Sequence, residues 1–324
     1  MRPKPWVFLE SQEHCAARIN TTPDLKTRGQ VIKAEMLTED TLQELSRRKI
    51  GVALATNATE IANDSALREV LQELRRRSID LEMWLTLTPD QGYWINPSAV
   101  RHLPRAVGEL RHCLAHTDID QYRLGIDMEM HADLLLSGTT LRDRLRAVWH
   151  NLFSSDERSK ADDRFTRQVD DLVRAENLGV TLYQIPFLGD WAITRGAMGI
   201  LKDPLVQHDN LRRVGMGYTS AMRFGPKPNV PAKKLLKQAM KNERTPGIGV
   251  IGSQDHYPGR DLGNTRTLTD AEILADLQYI ASHRTPAELY FFALTNATRL
   301  QQVMTLVDQT FAAPAVPRAP AISL

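Results

Sequence analysis

The chain has 324 residues, 42% of them hydrophobic and 25% charged, a composition that fits a globular protein with a large core, built as one α/β barrel or as two smaller domains. Lys+Arg 41 against Asp+Glu 39 gives a net charge of +2, which leaves no basic footprint for nucleic acid or an anionic membrane. The start, MRPKPWVFLESQEHCAARIN, has no apolar run of signal-peptide length, no stretch is long and apolar enough to span a bilayer, and Cys15 and Cys113 lack metal or redox spacing, so a cytoplasmic protein with reduced thiols is expected.

Taken in chain order, Trp6 to Glu10 (WVFLE) is a short apolar run that suits a strand, and Ser11 to Arg18 suits a helix; Pro3, Pro5 and Pro23 bound the region. Gln30 to Met36 (QVIKAEM) alternates Val31, Lys33 and Glu35 on one face and is the next strand candidate. Thr38 then caps a helix with acids in its first turn and basic residues at its end. Gly51 to Thr56 reads as a strand, and Asp64 to Arg77 as a helix whose buried stripe is Leu67, Val70, Leu71 and Leu74. Arg75, Arg76 and Arg77 close that helix, where basic groups complement its dipole.

The alternation continues. Leu81 to Leu87 (LEMWLTL) is a strand, Pro97 to His116 is mostly helix, and Tyr122 to His131 (YRLGIDMEMH) is the next strand. A charged stretch from about Thr139 to Asn177 forms helices, and GVTLYQIPF, VGMGYTS, GIGVIGS and ELYFFALTNA supply four more strands. Helices are expected over Pro231 to Lys241, Leu268 to His283 and Ala297 to Phe311. Counted from QVIKAEM, eight strands alternate with helices or long connections, which predicts a single (β/α)8 TIM-type barrel of the α/β class. The expected layout is an amino-terminal extension or first strand and helix over 1–29, the barrel over 30–311, and a flexible Pro/Ala-rich tail over 312–324. A doubly wound sheet would call for GxGxxG after a first strand, and the glycines of GIGVIG fall inside a late strand instead.

Within YRLGIDMEMH, period-two geometry puts Gly125, Asp127, Glu129 and His131 on one face and Leu124, Ile126, Met128 and Met130 on the other. An oily face toward helices and an acidic face toward an enclosed interior is what a barrel wall requires. Asp127 and Glu129 project side by side with roots roughly 7 Å apart, close enough for their charges to couple, so that one holds a proton while the other stays ionised. Glycosidic bond cleavage needs that division, with Glu129, nearer the mouth, as general acid and Asp127 orienting and tuning it. The loops after three strands carry Tyr93 and Trp94, then Trp191 and Arg195, then Asp255, His256, Tyr257 and Arg260. Rigid rings suit the C–H faces of sugars, and acids and amides suit their hydroxyls, so an oligo- or polysaccharide groove is expected; Trp84 and Gln184, from the third and fifth strands, join the candidate binding residues.

GIDMEM resembles the fourth-strand motif of chitinase-type glycoside hydrolases, D-x-x-D-x-D-x-E, with Asp127 and Glu129 matching its last two acids. The resemblance implies that Glu129 is the acid and that Asp127 positions a substrate acetamido group, and it aligns Met216 and Tyr218 with a sixth-strand Met-x-Tyr-Asp. Tyr122 and Gly125 stand where the motif has its earlier aspartates, Thr219 stands where the sixth-strand aspartate would be, and the eighth strand has no tryptophan. Asp255 or Asp190 is then a candidate second carboxylate. No cofactor is called for on this reading. Two others are open: a divalent-metal barrel resembling the xylose isomerase group, with His131, Asp255 and His256 near the ion, and a barrel that binds glycans without cleaving them.

Overall fold

The computed structural model describes residues 2–9, 12–88, 99–127, 179–184, 209–217, 232–240, 245–249, 267–293 and 296–311, with a few single positions and short runs between them. Eight strands form a closed barrel in chain order, each parallel to its neighbours. They are β1 (Lys4–Leu9), β2 (Gly51–Thr56), β3 (Leu81–Leu85), β4 (Arg123–Asp127), β5 (Val180–Gln184), β6 (Leu211–Gly217), β7 (Thr245–Gly249) and β8 (Glu288–Phe292). The ring closes where β1 pairs with β8, Lys4 beside Glu288 and Trp6 beside Tyr290. The helices are α1 (Gln12–Thr21), α2 (Arg28–Val31), α3 (Glu39–Arg48), α4 (Ala58–Asn63), α5 (Ser65–Arg76), α6 (Leu103–Ala115), α7 (Ala232–Ala239), α8 (Asp270–His283) and α9 (Ala297–Phe311).

One expectation is corrected here. Gln30 to Met36 is helical: α2 runs into a π-helical turn over Ile32–Met36, and the first barrel strand is the earlier apolar run. The local reason is a capping box in which Thr27 accepts from the Gln30 amide while the Gln30 side chain accepts from the Thr27 amide. The buried positions Val31, Ile32 and Met36 then share one face only when the chain is wound, not extended. Gly29 permits this helix to lie against α5, since a β-carbon there would sit 2.1 Å from the Leu67 amide nitrogen. The other seven strands overlap their expected runs, with β6 and β7 beginning at Leu211 and Thr245, ahead of the expected Val214 and Gly247.

Alternation divides the barrel wall. Val7, Leu9, Val52, Leu54, Met83, Leu85, Leu124, Ile126, Leu182, Ile248, Leu289 and Phe291 face outward into the helix layer, where they join Leu67, Val70, Leu71 and Leu74 of α5. Trp6, Phe8, Ala53, Ala55, Trp84, Tyr183, Val214, Met216 and Tyr290 form a separate inner cluster, with Phe292 packed against it. Phe8 is its centre, 5.0 Å from the rings of both Trp84 and Tyr183. The inward residues of β2 are small because β1 is large: a β-carbon at Gly51 would lie 2.4 Å from the Trp6 ring. Large and small side chains thus interdigitate across the interior, as close packing demands.

Candidate active site

Two of the expected site residues have described side chains, and β3 and β4 position them. Asp127 ends β4 at the carboxyl end of the barrel, beside Tyr183 of β5, and is 4% exposed. Its inward aim follows from its strand: Leu124 and Ile126 lie in the outer layer, while a β-carbon on Gly125 would meet the Tyr183 ring at 3.0 Å and Glu82 at 3.2 Å, inside the barrel. Trp84 lies on the inward face of β3 and is 2% exposed, packed edge-on against Phe8, Tyr183 and Phe292. Gln184 is the last residue of β5, beside Gly215 of β6. Glu129, Tyr93, Trp94, Trp191, Tyr218, Asp255, His256 and Tyr257 lie outside the described residues, as do His131 and Asp190. Thr219, where the resembling motif has an aspartate, is buried, and its hydroxyl donates to Asp276 of α8, tying the barrel to its helix layer.

No protein-family model matches the chain, and no curated protein matches it in sequence. The structure is similar to that of a class V chitinase from Pseudomonas fluorescens Pf-5, with a TM-score of 0.51 over 93% of this chain and 99% of that one, at 10% identity. The (β/α)8 fold is therefore shared over nearly the whole length of both chains.

Toward the amino end of the strands from Asp127, the barrel holds buried charged groups that lie outside the chitinase-like motif. Glu82, fully buried on β3, accepts hydrogen bonds from Thr181 at 2.6 Å and from the Tyr290 hydroxyl at 3.1 Å. Burial pushes its pKa up to about 7, against the opposing pull of those hydrogen bonds and of Arg212. Glu288 is paired with Arg123 at 3.3 Å and with Arg212, and burial raises its pKa too. Burial, reinforced by the Glu82 and Glu288 charges, raises the pKa of Tyr290 well above its usual value. Arg123 also stacks 4.8 Å over the Trp6 ring. The signal for Glu82 was present in LEMWL, where Glu82 and Trp84 alternate with Leu81, Met83 and Leu85 and must face inward if the leucines face the helices. Among the described residues, no three His, Cys, Asp or Glu side chains gather as metal ligands would.

Proposed function

We propose that the protein is a glycoside hydrolase-like barrel acting on an oligo- or polysaccharide, with Glu129 as general acid/base and Asp127 assisting it. The observation that carries the reading is Asp127 itself, a buried carboxyl at the carboxyl end of the fourth strand of a barrel like that of a class V chitinase. Glu129 follows Asp127 at the spacing at which the chitinase-type motif carries its acid. There a neutral acid protonates the leaving glycosidic oxygen while ionised Asp127 stabilises the developing positive charge. Tyr218 is assigned to the same site, and Trp84, Tyr93, Trp94, Gln184, Trp191, Asp255, His256 and Tyr257 to the sugar groove. Cytoplasmic residence belongs to this reading as well, in keeping with Cys15 and Cys113 being thiols and not a disulfide.

The test is release of reducing ends from soluble chito-, cello- and xylo-oligosaccharides. Glu129→Gln removes the transferable proton while keeping the shape of the side chain, so turnover falls by about 10²-fold or more with binding retained. Binding without turnover in the wild type would reduce the protein to a glycan-binding barrel, and activity abolished by a chelator would replace the mechanism with a metal-assisted one.

A further inference from the structure

One carboxyl inside the barrel has no part in the chemistry just described. Glu82 Oε2 accepts both the Thr181 and the Tyr290 hydrogen bonds. Its Oε1 is buried with no hydrogen-bond partner among the described residues. That atom lies 3.2 Å from the point where a β-carbon would stand at Gly125, so the glycine lets the carboxyl pack directly against β4, beside the Trp84 backbone. The Tyr183 ring bounds the same space from β5 at 3.0 Å. Gly125 and Asp127 are alternate residues on one face of β4, so Asp127 is rooted roughly 7 Å further along the strand. When protonated, Glu82, whose Oε2 already accepts two hydrogen bonds, carries its proton on Oε1, the atom that faces Gly125.

We propose that Glu82 is a positioning residue for the candidate site, its carboxyl delivered from β3 into the gap at Gly125 to serve as the acidic partner of Asp127. The proposal rests on the reading of Asp127 as a site residue. The charged and titratable groups around Glu82 are Arg123, its register partner on β4, Arg212 from β6, and Glu288 and Tyr290 from β8, with Lys4 of β1 beyond Glu288; Tyr183 of β5 faces the same space, and Asp127 stands two residues beyond Gly125 on β4. Arg123 and Arg212 both pair with Glu288. A charge on Asp127, two residues beyond Gly125 on the same face of β4, acts on Glu82 through an interior of low dielectric, where neighbouring carboxyls titrate together.

Two measurements decide the matter. In the full chain with ¹³C-labelled glutamate carboxyls, the Glu82 resonance is assigned by its loss in Glu82→Gln and titrated in the wild type and in Asp127→Asn. Removing the Asp127 charge should lower the Glu82 midpoint by roughly half a pH unit or more, the scale of a Coulomb interaction across about 10 Å of protein interior; an unchanged midpoint overturns the proposal whatever reaction the barrel performs. On soluble chito-oligosaccharides, Glu82→Ala should lower kcat by about tenfold or more with KM little changed. The conservative variant Glu82→Asp, which keeps a carboxyl on β3, should recover part of that activity, whereas Glu82→Gln, which keeps the shape without an ionisable group, should not. Folded Asp and Gln variants, judged by their melting transitions, with equal kcat also overturn the proposal. Absence of turnover in the wild type would defeat the proposed function alone, since the titration stands without it.

Discussion

Glu82 Oε1 on β3 lies 3.2 Å from the vacant β-carbon position of Gly125 on β4, so one strand supplies a carboxyl to a place on its neighbour that carries no side chain. The contact brings a β3 carboxyl against the inward face of β4, the face that also carries Asp127. Its energetic consequence can be read without any substrate.

The folded pKa of Glu82 is about 7, against 4.5 in an unfolded chain. A raised acid pKa means that folding favours the proton: its stabilising contribution is full below about pH 4.5, falls as the pH rises, and is gone above about pH 7. The difference corresponds to about 3 kcal/mol. Chemical denaturation between pH 4 and 9 should show the wild type losing stability across this window, whereas Glu82→Gln, neutral throughout, should lose less and should exceed the wild type at pH 8. Parallel profiles for the two proteins would contradict this account.

Two glycines should respond in opposite directions to alanine. At Gly51 the new methyl would meet the Trp6 ring at 2.4 Å in a filled interior, and Gly51→Ala should destabilise by about 1–3 kcal/mol. Gly108 is an exposed position inside α6 with nothing within 4 Å of its β-carbon site, and Gly108→Ala should stabilise by about 0.5–1 kcal/mol through better helix propensity. Equilibrium unfolding of both variants tests the packing of the barrel against the open surface of a helix.

Trp84 separates packing from recognition. Its ring is buried among Phe8, Tyr183 and Phe292, so Trp84→Ala should cost about 3–5 kcal/mol by opening a cavity. Trp84→Phe, which refills part of the space, should recover most of that stability. If it also keeps glycan binding, measured by calorimetry, the ring serves the core; a stable Phe variant with weakened binding assigns it to the groove as well.

The Thr219 hydroxyl donates to the buried Asp276 carboxylate, linking the end of β6 to α8. Thr219→Val keeps the shape and removes the donor, and should destabilise by about 1–3 kcal/mol, while Thr219→Ser should lie close to the wild type. Equal melting temperatures for the Val and Ser variants would show that the bond contributes nothing to stability.

Much of the architecture was legible because barrel strands and their helices obey two periods that a sequence displays directly. The stripe of α5 at Leu67, Val70, Leu71 and Leu74 and the alternation of Leu124, Gly125, Ile126 and Asp127 are of this kind. The first strand was harder to place. QVIKAEM alternates as a strand would, and only the Thr27–Gln30 capping box and the fit of Gly29 against Leu67 wind it into a helix.

The sequence by itself determined which residues alternate, and hence that Asp127 shares a face with Gly125 and opposes Leu124 and Ile126. Only the tertiary structure decided what that face meets. Closing the ring brings β3 beside β4 and β8 beside β1, and it collects Glu82, Thr181 and Tyr290 from strands about 100 to 200 residues apart. The burial that raises the pKa of Glu82 arises from that closure, because desolvation is a property of the surrounding side chains and not of the glutamate's place in the chain.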